Sequence, residues 1–208
     1  MKLFSVLYKD WHPFNTFYPE AECVVITQPS ELTGAGILIL WGGEDINPKL
    51  YNRPNIRTNS HQVSKRDAME TSLFLAAVAK QMPIIGVCRG AQLACALSGG
   101  VLVQDVDGHN VQHYIRTSDG RRLLSSSIHH QMMYPWGCEG DLLAWSDPPK
   151  SMVYDGLTKE EAGLMTKEPE IFYFKKTHCL AIQGHPEYME ASCPFNSYVG
   201  ELCTTYMS

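Results

Sequence analysis

The sequence predicts an α/β fold: a three-layer sandwich with a mostly parallel central sheet. Three observations point there. Short apolar runs rich in Val, Ile and Leu recur with little alternation, as strands covered on both faces do. A helix-period segment, Lys65–Gln81, lies between two of these runs, which makes a strand–helix–strand crossover. A further apolar strand runs straight into a glycine-flanked cysteine and then a helix.

Taken in order, Leu3–Tyr8, Cys23–Thr27, Ile37–Trp41 and Pro83–Val87 read as buried strands bounded by Gly, Pro or charge. Only about a dozen residues part the first two, the lower limit for a helical crossover, so that connection is expected to lack a full helix. Asn52–Ser64 is polar and reads as a surface loop. In Lys65–Gln81 apolar residues recur at three- and four-residue spacing. Gly90–Leu97 reads as a second helix, stopped by Ser98-Gly99-Gly100. The second half is richer in strands: Val111–Arg116, Leu142–Trp145, Glu170–Phe174 and Cys179–Gln183, punctuated by turns at Asp119-Gly120 and Asp155-Gly156. Pro194–Met207 reads as a closing helix.

The chain has 208 residues, 44% of them hydrophobic and 19% charged, with a formal net charge of −5. That length suits one domain, 1–208. Low charge disfavours disorder, and the acidic balance gives no global attraction to nucleic acid or anionic membranes. No run suits a signal peptide or a bilayer span. Seven cysteines cannot all pair within the chain, so free thiols in a reducing, cytoplasmic setting are expected.

Ile84-Ile85-Gly86-Val87-Cys88-Arg89-Gly90-Ala91-Gln92 is the most informative segment. It has the nucleophile-elbow pattern with Cys in place of Ser: the turn is tight, and the nucleophile must protrude from it. The positive end of the following helix favours a thiolate. The Arg89 N–H is placed to donate to an oxyanion. A buried structural cysteine on a tight turn is the competing reading. Gln183-Gly184-His185-Pro186-Glu187 follows another apolar strand and supplies a base, His185, with Glu187 to orient it. Parallel strands bring their carboxyl ends to one edge, so the two segments can meet.

These residues resemble the class I glutamine amidotransferases, and more narrowly the γ-glutamyl hydrolase, or peptidase C26, branch. Trp41-Gly42-Gly43-Glu44-Asp45-Ile46-Asn47-Pro48-Lys49-Leu50-Tyr51 is similar to that branch's Gly-Gly loop, Arg66-Asp67 opens the next helix as it does there, and Ser127-Ile128-His129-His130-Gln131 is similar to its Ser-x-His-x-Gln segment. The likeness runs from about Ile37 to Tyr188. It implies a flavodoxin-like class I amidotransferase fold and a Cys88–His185–Glu187 triad. Cys88 would attack a γ-glutamyl carbonyl to form a thioester, which water would then hydrolyse. Gly43 and Arg89 would form the oxyanion hole, and Gln92 with the backbone at His129, His130 and Gln131 would hold the glutamyl end. This chain departs from the family in its short N-terminal flank and in His130, where relatives often carry Gly.

The resemblance leaves two uses open: a stand-alone hydrolase of a small γ-glutamyl compound, or a glutaminase subunit feeding ammonia to a separate synthetase. A redox or chaperone relative with the same reactive cysteine is the third reading, and a silent binding protein the fourth. No cofactor is expected, and no phosphate loop of the Gly-x-x-x-x-Gly-Lys type is present. A homodimer over the short flank is an open expectation. His109 and His113 share a face as a strand or loop, but no third ligand is evident, so no metal is expected. Arg53, Arg57, Lys65 and Arg66 form a mildly basic region that reads as solvated surface or as an anion contact. Cysteines other than Cys88 read as structural.

Overall fold

Alternating side chains along the first strands divide the interior in two, because successive residues of a strand face opposite sides of the sheet. In a computed structural model that describes residues 1–6, 11–56 and 64–207, Phe4, Leu38, Leu40 and Ile84 belong to one apolar core, whereas Leu3, Ile37, Ile39 and Ile85 belong to the other.

The elements in chain order are β1 (Lys2–Ser5), α1 (Phe14–Phe17), β2 (Glu22–Val25), β3 (Gly36–Leu40), α2 (Lys65–Ala79), β4 (Ile84–Val87) and α3 (Arg89–Leu97). Then follow β5 (Val101–Val103), β6 (His113–Thr117), β7 (Arg122–Ser125), β8 (Met132–Tyr134), β9 (Gly140–Ser146), α4 (Lys159–Gly163), β10 (Pro169–Phe174), β11 (Cys179–Ile182) and α5 (Pro194–Tyr206). Nine strands form one sheet in the order β2-β1-β3-β4-β11-β10-β9-β6-β7. The run from β2 to β11 is parallel. The extension from β10 to β7 is antiparallel. β5 and β8 pair separately.

Helices α2 and α3 cover one face through Leu73, Phe74, Ala77, Leu93 and Ala94. Helices α1 and α5 cover the other through Phe14, Phe195, Tyr198, Val199 and Leu202. This is the three-layer sandwich that the continuous apolar strands predict. Ser64 starts α2 with a reciprocal cap: its hydroxyl accepts from the Asp67 N–H at 2.9 Å, and Asp67 accepts from the Ser64 N–H at 3.3 Å. The first connection carries only the four-residue α1, as its length requires.

Some boundaries differ from the sequence reading. Strand β6 begins at His113, not Val111, and β9 reaches from Gly140 to Ser146. Strands β5, β7 and β8 are only three or four residues long. Each exists through pairing with a partner distant from it or turned back on it, not through a local pattern of its own. The expected first strand extends to Tyr8, and residues 7–10 lie outside the described residues, as does Arg57. Among the described residues no helix is long and apolar enough to cross a membrane.

Candidate functional site

Strand β4 runs parallel between β3 and β11, so the carboxyl ends of all three lie together at one sheet edge. Cys88 follows β4 directly and carries φ 49° and ψ −106°. A non-glycine residue held at positive φ is strained, and such strain persists only where surrounding structure imposes it. Here the glycines on either side allow it. A Cβ on Gly86 would stand 2.5 Å from the Gly90 carbonyl oxygen, and one on Gly90 would run into the Leu40 carbonyl. The turn closes with the Cys88 N–H donating to Ile182 O at 2.7 Å, and α3 starts with the Gln92 N–H donating to Cys88 O at 3.0 Å.

From the neighbouring end of β11, Pro186–Tyr188 forms a single 3₁₀ turn that folds Glu187 back on His185. His185 Nδ1 donates to Glu187 Oε1 at 2.9 Å, which leaves Nε2 as the nitrogen for Cys88. Burial lowers the pKa of His185, but hydrogen bonds with Cys88 and Glu187 outweigh it and push the imidazole up to about 9. His185 is held at three more points. Tyr188 stacks on it at 4.7 Å between centroids. The Ser126 hydroxyl accepts from the His185 N–H at 2.8 Å and donates to its carbonyl at 2.7 Å. Gly42 approaches so closely that a Cβ there would stand 2.6 Å from His185 Cε1 and 3.6 Å from Cys88 Cβ. Gln183 Nε2 reaches the Cys88 sulfur at 4.0 Å.

The Gly42-Gly43 turn rests on a buried ionic cluster. Arg66 donates to the carbonyls of Trp41 and Gly42 at 2.8 and 3.1 Å, and its Nε donates to Glu70 at 2.9 Å. Arg89 bonds Glu70 and Asp67 and is 2% exposed. The Arg89 side chain therefore faces α2, while its backbone N–H lies in the first turn of α3. The first N–H groups of a helix have no intrahelical acceptor. This corrects the reading of Arg66 as solvated surface or as an anion contact: it is a brace beneath the loop. Arg53 is engaged by Glu161.

Of the residues expected to hold the glutamyl end, Gln92, His129 and Gln131 form one hydrogen-bonded wall. Gln92 Nε2 donates to Gln131 O at 2.8 Å. Gln131 Oε1 accepts from the Ile46 N–H at 3.4 Å. His130 Nε2 lies 2.8 Å from Asp45 Oδ1, linking this wall to the Gly-Gly loop. His129 Nδ1 donates to Gln131 O at 2.9 Å, and its ring turns inward, where burial lowers its pKa to about 3. Cys95 is a core residue of α3, as expected, its thiol pushed up by burial.

Tyr188, Ser126, Gln183 and the Arg66–Glu70 brace were missing from the sequence reading. A signal existed for Tyr188, three residues after His185 across a proline turn. None existed for Ser126, which lies 59 residues away. Sequence reasoning also missed the partners of His109 and His113: the fold brings Glu168, Glu170 and His129 against them.

A strained cysteine between strand and helix, with a His–Glu pair at the next parallel strand end, sits here on the class I glutamine amidotransferase-like fold. Solved structures show the same architecture. A glutamine amidotransferase from Thermotoga maritima superposes with a TM-score of 0.58 at 14% identity, covering 100% of this chain and 86% of that one. PurLQS, also from Thermotoga maritima, gives 0.61 at 12% identity, covering 100% and 99%. At that identity the likeness speaks for the fold.

The chain belongs to the peptidase C26 family, whose model matches residues 31–139. Among curated relatives, "Putative glutamine amidotransferase-like protein YvdE" of Lactococcus lactis is 29% identical over 75% of this chain and 67% of its own length. "Putative glutamine amidotransferase Rv2859c" of Mycobacterium tuberculosis is 36% identical over 72% of this chain. The chain spans half the length of that second relative and about a third of several others.

Proposed function

We propose that this protein hydrolyses a γ-glutamyl amide bond, in glutamine or a small γ-glutamyl conjugate, through a thioester on Cys88. The observation that carries the proposal is the strained cysteine at the end of β4 beside His185 at the end of the adjacent β11, the imidazole being oriented by Glu187 at 2.9 Å. In the proposed mechanism the Cys88 sulfur attacks the γ-carbonyl. The backbone N–H groups of Gly43 and Arg89 stabilise the developing oxyanion. His185, kept as imidazolium by Glu187, gives its proton to the leaving nitrogen. Ammonia or an amine departs, and His185 then takes a proton from the water that cleaves the thioester. Glutamate is released. Gln92 and the backbone at His129, His130 and Gln131 would receive the glutamyl end. A reducing compartment suits this chemistry, since an oxidised Cys88 could not attack.

A second reading, a glutaminase subunit that hands ammonia to a separate synthetase, is favoured by the names of two structural neighbours. One, from Thermoplasma acidophilum, is named for a GMP synthase, and the other is PurLQS. Turnover separates the two uses: a stand-alone hydrolase works unaided, whereas an ammonia-donating partner stays slow until its synthetase is added.

The test is glutamate release from glutamine and a panel of γ-glutamyl amides, with Cys88→Ala as control. The variant is expected to lose at least ~10³-fold in kcat, as loss of a covalent nucleophile does. Equal release by wild type and variant would overturn the mechanism. A glutamine-like diazo ketone is expected to label Cys88 alone, as read by peptide mass spectrometry. Labelling without any turnover, with or without a synthetase, would favour the redox or chaperone reading.

A further inference from the structure

Three buried lone pairs face one another behind the candidate glutamyl wall. His109, His129 and Glu170 are 0%, 5% and 1% exposed. One ligand-type atom from each lies within 4.8 Å of the other two. His109 Nδ1, His129 Nε2 and Glu170 Oε2 have no hydrogen-bond partner among the described residues. Buried polar atoms are almost always satisfied, so three orphans in one place demand an occupant.

The surroundings say which kind. The opposite nitrogen of each imidazole is already committed. His109 Nε2 donates to Glu168 Oε2 at 3.2 Å, and His129 Nδ1 donates to Gln131 O at 2.9 Å. Each ring therefore turns its one uncommitted nitrogen toward the centre. Glu170 is fixed in the same manner: its Oε1 accepts from His113 Nε2 at 2.7 Å and from the Ser146 hydroxyl at 3.1 Å, while Oε2 stays bare. Glu168 is itself held by the N–H groups of Lys150 and Ser151 and by the Tyr154 hydroxyl. A carboxylate or carbonyl behind each ligating imidazole is the outer shell that orients metal ligands.

We propose that His109, His129 and Glu170 form a buried site for a divalent transition metal, with Zn²⁺ the ion whose ligand preferences fit. Two imidazoles and one carboxylate are a known donor set for Zn²⁺ with one position left over. Ligands at about 2.1 Å from a tetrahedral ion stand about 3.4 Å apart, and one ligand-type atom from each of the three residues lies within 4.8 Å of the others. Small side-chain rotations close the triangle. The ion joins β10, the segment before β6 and the loop that carries His129. That loop is tied to α3 through Gln92 and to His185 through Ser126. The metal thus clamps the wall of the candidate pocket from behind and takes no part in the thioester chemistry. The site does not depend on the proposed hydrolase activity.

Protein freed of metal with a chelator is titrated with ZnCl₂ by calorimetry and with CoCl₂ by visible absorption. One ion per chain is expected, with a Co²⁺ spectrum of nitrogen and oxygen ligation, displaced by one equivalent of Zn²⁺. Hydrogen exchange in 126–131 is expected to slow on Zn²⁺ addition. His109→Gln is expected to weaken binding at least 100-fold while far-UV circular dichroism stays native. Four results would overturn the site: no binding at micromolar Zn²⁺, sulfur-to-cobalt charge transfer that places the ion on a thiol, unchanged binding in folded His109→Gln, or exchange in 126–131 unaffected by Zn²⁺. If that variant does not fold, the wild-type Co²⁺ spectrum and the exchange data decide.

Discussion

At His185 two opposing effects meet, and their balance sets a pH dependence. Burial favours the neutral ring, whereas Glu187 and Cys88 favour the imidazolium and win, with the pKa raised to about 9. The proposed acid step needs that proton, so kcat/KM on an amide substrate is expected to fall as pH rises through about 9. In Glu187→Gln one raising interaction is removed, and the alkaline limb is expected to move toward neutral pH. A full pH–rate profile of both proteins checks this, and an unmoved limb would assign it to another group. Gly42 gives a steric counterpart. In Gly42→Ala a Cβ would stand 2.6 Å from His185 Cε1, and the imidazole must shift. A misplacement of that order costs roughly 10- to 100-fold in rate. The fold is expected to survive, so thermal melting should change little while kcat drops.

The strand–elbow–helix unit concentrates the structural demands. Gly90 packs against the Leu40 carbonyl without room for a methyl group. Gly90→Ala is therefore expected to force β3 and α3 apart and to destabilise by about 1–3 kcal/mol, the usual range for overpacking. Beneath the elbow, Arg89 is paired with Glu70 and Asp67 away from solvent. Glu70→Ala leaves Arg89 with Asp67 alone and Arg66 without its carboxylate, so one positive charge of the cluster goes uncompensated and the change is expected to cost about 3–5 kcal/mol. Urea unfolding of both variants measures these losses. The Glu70 change should also loosen Arg66, and with it the Gly42-Gly43 turn.

Across the whole molecule the seven cysteines sort by environment. Cys23 is exposed on the edge strand β2, whereas Cys95, Cys179 and Cys203 lie in the two cores. Burial raises the thiol pKa of all three, that of Cys203 to about 12. In native thiol titration with an alkylating agent, Cys23 is expected to react early and these three only after denaturation, read by peptide mapping. Early labelling of Cys95 would show that the α3 face opens in solution.

Much of this architecture was legible because it rests on local rules. Continuous apolar strands, the three- and four-residue spacing of α2, and Gly86-Val87-Cys88-Arg89-Gly90 each state their geometry within a few residues. His185 and Glu187 were readable for the same reason, being two residues apart on one turn. The short strands β5, β7 and β8 were not, since their hydrogen-bond partners come from pairing rather than pattern. Nor was the role of Arg66, whose partners Trp41 and Gly42 lie about 25 residues away. The His109–His129–Glu170 cluster is the clearest case. Its members come from two loops and a strand, spread over 61 positions of sequence. No spacing rule joins them. Hydrophobic burial closes the sheet, and the closed sheet brings these side chains into one place, where their lone pairs meet without a donor.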